Sequence, residues 1–162
     1  MPSINSSNHV GFAIRIEGLD ELRASLKALP EKLERNVVRG GLRAAAKIVA
    51  VEAKRLVPVQ RGVLKKSIRI SSRVKNGLVT VSVKAGGKGA RHAHLVELGT
   101  KPHLIGRRGF KSAPIRHPGA KPKPYMRPAF ESKVQAAIAT FVDYVQRRLP
   151  KELEKLNGGR HG

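Results

Sequence analysis

Apolar and polar residues first alternate along this chain. Val10, Phe12, Ile14 and Ile16 interleave with Gly11, Ala13, Arg15 and Glu17, the period-2 pattern of a half-buried strand. Residues 1–9 before it are polar and are expected to form a flexible N-terminus. Gly18 ends the strand, and Asp20 is placed to cap a short helix to Ala28 with Leu19, Leu22, Leu26 and Leu29 on one side. Pro30 suits the first turn of a second helix, with Glu31 and Glu34 at its positive end and Lys54 and Arg55 at its negative end. The stripe Leu33, Val37, Val38, Leu42, Ala45, Ile48, Val49 and Leu56 predicts a helix of about 27 residues, on the order of 40 Å. Gly40-Gly41 within it predicts either a kink or a neighbour packed close, and Ala44-Ala45-Ala46 favours the neighbour.

After Pro58 the period returns to two. Residues 63–74 predict a strand in which Ile68, Ile70 and Val74 alternate with charged or hydroxyl residues. Asn76-Gly77 predicts a type I′ turn, and the return strand has Val79, Val81 and Val83 on one face and Thr80, Ser82 and Lys84 on the other. Gly86-Gly87-Lys88-Gly89 predicts a flexible hinge. Pro128 opens a last helix whose apolar face is Phe130, Val134, Ala137, Ile138, Phe141, Val142, Val145 and Leu149. Pro150 is expected to stop it, leaving 151–162 as a charged tail to which Leu153 and Leu156 add at most a helical turn. The fold class is α+β: a small antiparallel sheet made of the N-terminal strand and the hairpin, packed by the long helix and the C-terminal helix. One domain is expected over 10–150, with a long loop, 99–127, inside it.

Composition changes this picture at two points. The chain has 162 residues without Cys or Trp, which excludes disulfides, thiolate nucleophiles and Cys-based zinc sites and leaves Leu, Val, Ile and Ala to make the core. The net charge of +22 points to a polyanionic partner: nucleic acid, a phosphate-rich surface or an acidic protein face. The charge is concentrated. Residues 53–130 hold nineteen Lys and Arg against a single acid, Glu97. A lone carboxylate in such a field is expected to be paired, with an Arg or with backbone N–H groups. Residues 91–130 also carry six of the ten prolines and four of the six histidines, the make-up of a long, stiffened, cationic loop. No signal-peptide pattern and no apolar run of membrane-spanning length is present, so a soluble protein without membrane contact is expected.

Candidate chemistry is thin. His92, His94 and Glu97 lack a metal-site spacing such as HExxH and stand in cationic surroundings, so no metal or other cofactor is expected. Asp occurs only at 20 and 143, no GxSxG elbow is present, and the glycine run at 86–89 does not match GxxxxGK[ST]; the chain reads as no enzyme. The loop has only Phe110 and Tyr125 for base stacking, so any nucleic-acid contact would be to phosphates. In Pro124-Tyr125-Met126-Arg127-Pro128-Ala129-Phe130, two prolines bracket the entry to the last helix, and Tyr125, Met126 and Phe130 are expected to staple the loop to the core.

The order of these parts resembles a known family. Gly18-Leu19-Asp20-Glu21-Leu22 looks like its opening GLDEL element, and residues 57–68, VPVQRGVLKKSI, are similar to its P-x-x-TG-x-L-x-x-SI segment. His94-Leu95-Val96-Glu97-Leu98-Gly99-Thr100 is similar to its Y-x-VEFGT, and residues 123–130 to its QPFLRPAF. The family is the neck or tail-completion (head–tail joining) proteins of long-tailed double-stranded DNA phages, of the lambdoid coliphage HK97 type, and the likeness covers roughly 18–145. Arg61 stands where the family has Thr, Leu98 and Tyr125 where it has Phe, and extra basic residues lengthen 101–121. The resemblance implies a structural virion protein, assembled in the host bacterial cytoplasm as a ring of its own copies (hexamer or dodecamer). Connector, tail-terminator or tail-tube proteins would be its neighbours, with genomic DNA in the lumen. On this reading Lys101, Arg107, Arg108, Lys111, Arg116, Lys121 and Lys123 face DNA or a partner. Glu97 holds the base of the loop, and Leu98, Gly99, Thr100, Pro124, Tyr125, Arg127, Pro128, Ala129 and Phe130 complete the motif. The competing expectation is a free basic protein that binds nucleic-acid phosphates non-specifically.

Overall fold

The computed structural model describes residues 19–27, 29–105 and 115–158. The strand expected at 10–17 lies outside them. Helix α1 spans Leu19–Lys27, with Leu22, Leu26 and Leu29 buried on the side their spacing predicts. Helix α2 spans Glu31–Leu56 without a break, its first turn closed by the Pro30 carbonyl, which accepts from the Leu33 and Glu34 N–H groups.

Of the two expectations at Gly40-Gly41, close packing is the one realised. The last helix, α5, spans Met126–Gly158 and runs antiparallel to α2. A Cβ on Gly40 would fall on the Tyr144 ring, and one on Gly41 would sit 2.8 Å from Phe141 Cδ2. The glycines set the distance of closest approach, and two apolar clusters lie on either side of this crossing. Val37, Val145 and Leu149 join the α1 leucines at one end. Val49, Ala50, Ala53 and Val57 meet Tyr125, Ala129 and Ala137 at the other.

Pro150 does not end α5. Proline inside a helix removes a hydrogen bond and costs roughly 3 kcal/mol. Here the residues on both sides have reasons to continue: Leu149 is buried before it, Glu152 is buried after it, and Leu156 packs on the α1 cluster. Arg148 and Lys155 pair with Glu152 at 2.7 and 3.7 Å. The expected tail is therefore helical to residue 158.

The hairpin is as expected at its turn and different at its start. Strands β1 (Arg69–Lys75) and β2 (Leu78–Lys84) pair antiparallel with Lys75 opposite Leu78, and both Asn76 and Gly77 adopt the positive φ that a type I′ turn requires. Residues 63–67, expected as strand, form the short helix α3 (Val63–Ser67), which starts after a left-handed Gly62 and buries Leu64. Nor is 86–89 a loose hinge. Ser67 Oγ accepts from Gly86 N–H at 3.0 Å, and the turn delivers Ala90, fully buried, to the core. A second two-stranded sheet, which periodicity did not predict, pairs β3 (His103–Ile105) with β4 (Ile115–His117). The α+β class holds, with two separate antiparallel ribbons among the described residues.

Candidate functional site: a carboxylate clamp beneath a cationic loop

The short helix α4 (Ala93–Leu98) buries Ala93 and ends at Gly99. The sequence turns there because Gly99 has φ +72°, and because a Cβ at that point would lie 2.6 Å from the Ala120 carbonyl. The chain leaves at Thr100 and returns at Ala120, and these two residues exchange both backbone hydrogen bonds, at 2.9 and 3.0 Å. Further out, His103 pairs with His117, their rings 5.0 Å apart. His103 Nδ1–H donates to the Lys101 carbonyl, while His117 Nδ1 accepts from Gly119 N–H. The basic excursion thus has a closed base.

Glu97 locks that base to the body. Its Oε2 accepts from Tyr125 N–H at 2.8 Å and from Met126 N–H at 3.0 Å, and its Oε1 accepts from Arg127 N–H at 3.0 Å. These are the donors that the start of α5 leaves without intrahelical partners, and the next residue, Pro128, has no N–H to satisfy. One carboxylate from a distant helix therefore does the work of an N-cap, at the end of the helix dipole where negative charge is favoured. Burial is the largest single influence on Glu97 and pushes its carboxyl up, but the three N–H groups together outweigh it and hold the carboxyl below the ordinary range. Lys123 N–H adds a bond to the Val96 carbonyl at 2.8 Å. Of the two pairings expected for the lone acid, backbone N–H groups are the one found.

The motif residues divide by depth. Tyr125 is 1% exposed and Ala129 is fully buried, both in the larger cluster, and Met126 packs against it. Burial, with the charge of Glu97 second, pushes the Tyr125 hydroxyl up. Phe130, expected to staple the loop to the core, is instead 56% exposed, and Leu98 is 73% exposed. On α5 each residue turns by roughly 100° from the one before, so Phe130 cannot share the inward direction that Ala129 takes. Pro124 and Arg127 are also exposed, Arg127 paired to Glu131 at 2.8 Å.

Of the loop cations, Lys101, Arg116, Lys121 and Lys123 are exposed and form no ion pair among the described residues, whereas Arg107, Arg108 and Lys111 lie outside them. His92 and His94 are exposed. Among the described residues no group of three or more His, Asp or Glu is arranged to hold a metal. No described helix is long and apolar enough to cross a membrane.

The cationic excursion is thus held at both ends, and comparison with known families gives one similarity. Residues 20–99 match the family model of HK97-gp10-like proteins, described as "Bacteriophage HK97-gp10, putative tail-component". The class is a structural component of a tailed bacteriophage. Within that class the chain is similar to the HK97-gp10-like family over residues 20–99, the match running from α1 to the Glu97-Leu98-Gly99 turn. No curated protein and no solved structure matches the chain.

Proposed function

We propose that the protein is a subunit of the head–tail neck, a ring of its own copies around the DNA channel, seated against connector, tail-terminator or tail-tube proteins in the virion. The observation that carries this reading is the clamp. Glu97 and the Thr100–Ala120 pair hold both ends of the cationic excursion, so Lys101, Arg116, Lys121 and Lys123 are presented together at a fixed place on the body. In a ring, such a loop repeats around the axis and sets a positive collar toward DNA or toward an acidic face of the next ring. Arg107, Arg108 and Lys111 belong to the same excursion in sequence and to the same proposal. Leu98 and Phe130, large apolar groups left exposed on either side of the clamp, support contact between copies.

The test is mass spectrometry of tailed particles purified from a lysate of the bacterium that encodes the protein, followed by cryo-microscopy of the neck. The reading requires several copies of this chain per particle, in density between head and tail. Recovery only from the soluble, nucleic-acid-bound fraction would replace it with the free phosphate-binding reading.

A further inference from the structure

We propose that the outer face of the β1–β2 hairpin is a second polyanion site, fitted to the sugar-phosphate backbone of duplex DNA without reading its sequence. The inner face is taken by α2: Arg43 Nη1 donates to Ser72 Oγ at 3.3 Å, and Ile70 and Val83 pack on the larger cluster. The register then places on the outer face, from base to tip, Arg69 opposite Lys84, Ser71 opposite Ser82, Arg73 opposite Thr80 and Lys75 opposite Leu78. These side chains, Arg69 apart and with Asn76 added, line a shallow concavity of about 620 Å³. Arg69 is committed locally, its Nη1 donating to the Ser67 and Gly86 carbonyls at 3.2 and 2.5 Å. Arg73, Lys75 and Lys84 are exposed and pair with no carboxylate among the described residues. One carboxylate lies near the tip, Glu31, on the α2 side by Gly77, and it is already paired with Arg35 at 3.1 Å.

The chemistry of this face favours DNA over the other polyanions. Alternate residues on a strand stand roughly 6.8 Å apart, twice the roughly 3.4 Å axial step between phosphates of one DNA strand. A two-stranded ribbon has the width of the major groove, and Ser and Thr hydroxyls donate to phosphate oxygens as Arg and Lys do. An acidic protein partner would call for aromatic or aliphatic anchors at the centre of the contact, and here only Leu78 is apolar, at the tip. A single strand would call for aromatic stacking platforms, which this face lacks. The site uses no residue of the 101–123 loop and stands whether or not the protein sits in a neck ring.

The test measures binding of the full chain to a short fluorescent duplex of mixed sequence by anisotropy across a salt series. Taking away one cation that neutralises a phosphate flattens the log–log salt slope by about 0.9, so Arg73→Gln/Lys75→Gln/Lys84→Gln is expected to reduce it by about 2.7. The single variant Arg73→Gln is expected to reduce it by about 0.9. Lys32→Gln/Lys47→Gln/Lys151→Gln removes the same charge from exposed positions on α2 and α5 and is expected to leave the slope nearly unchanged. An equal fall in both triple variants would reduce the effect to net charge and overturn the site, as would an unchanged slope in the hairpin variant. Displacement of the duplex by polyglutamate at equal charge would overturn the preference for DNA and assign the face to acidic proteins instead. None of these outcomes alters whether the chain is found in purified particles.

Discussion

Replacing Glu97 by glutamine keeps the size of the side chain and removes the feature the clamp depends on. Glutamine retains one acceptor oxygen, which can serve Tyr125 and Met126 as Oε2 does now. Its amide nitrogen is then turned toward Arg127 N–H, a donor facing a donor where Oε1 accepts at 3.0 Å. Hydrogen bonds to a charged acceptor contribute about 1.5–3 kcal/mol, neutral ones about 1 kcal/mol. The two retained bonds each weaken by roughly 0.5–2 kcal/mol, and the third is lost. The interaction with the α5 dipole, about 0.3–1 kcal/mol, goes with the charge. Water reaches the half-buried site and reduces the sum, which we place at about 3 kcal/mol, or a fall in Tm on the order of 8 °C.

The pH dependence adds a second signature. Because the folded protein holds this carboxyl below its ordinary value, the stability it contributes is fully present above the unfolded carboxyl pKa, about 4.3, and is lost as pH falls through the lower folded value. Wild type and Glu97→Gln are therefore expected to differ at pH 7 and to converge in strong acid. Thermal unfolding across that range, with hydrogen exchange at the Tyr125, Met126 and Arg127 amides, reads both effects. An unchanged Tm at pH 7 with undiminished protection of those three amides would refute the clamp.

Three further outcomes are expected. Gly41→Ala puts a methyl group 2.8 Å from Phe141 Cδ2 and should cost about 1–3 kcal/mol in urea unfolding; full wild-type stability would mean that α2 and α5 are not held at this distance. Pro150→Ala should raise the urea midpoint, by up to about 3 kcal/mol of stability, because the helix already passes through this position, and a fall in stability would restore the view of Pro150 as a stop. Reversing charge at Lys101, Arg116, Lys121 and Lys123 together should leave Tm nearly unchanged, since all four are exposed, while abolishing assembly of infectious particles; normal titres would remove the loop from the assembly surface.

What can be read from the residues alone follows from how local each cause is. The Asn76-Gly77 turn and the α2 stripe are legible because turn chemistry and helical periodicity act within a few residues. Glu97 is legible as a paired group because charge acts at a distance and no other acid lies between residues 53 and 130. Its partners are not, since they are backbone groups thirty residues on and have no side-chain signature. The β3–β4 ribbon escapes because three-residue strands are too short to show a period, and its pairing is set by the closed base. Residues 63–67 read as strand on their apolar positions, whereas the left-handed Gly62 before them sets a helix start. Pro150 misleads because its helix-breaking cost is local and the burial that offsets it is tertiary. Phe130 misleads because apolar character does not by itself choose between a core and an exposed face.

The closed base of the loop bears on how this protein can change through time. Thr100 and Ala120 are joined by peptide groups that every residue type but proline can supply, and beyond them only Gly99 and Gly119, at φ +72° and +87° with a strand pressed against each, demand an identity. Doubling the length of chain between such fixed points costs only about 0.6 kcal/mol in closure entropy. The stretch between them is therefore a cassette: lineages can lengthen it, shorten it or rewrite its charge to suit a new neighbour, while Glu97 keeps the body unchanged. Related phage proteins that exchange partners at this loop should differ most between these two residues and least at the carboxylate beneath them.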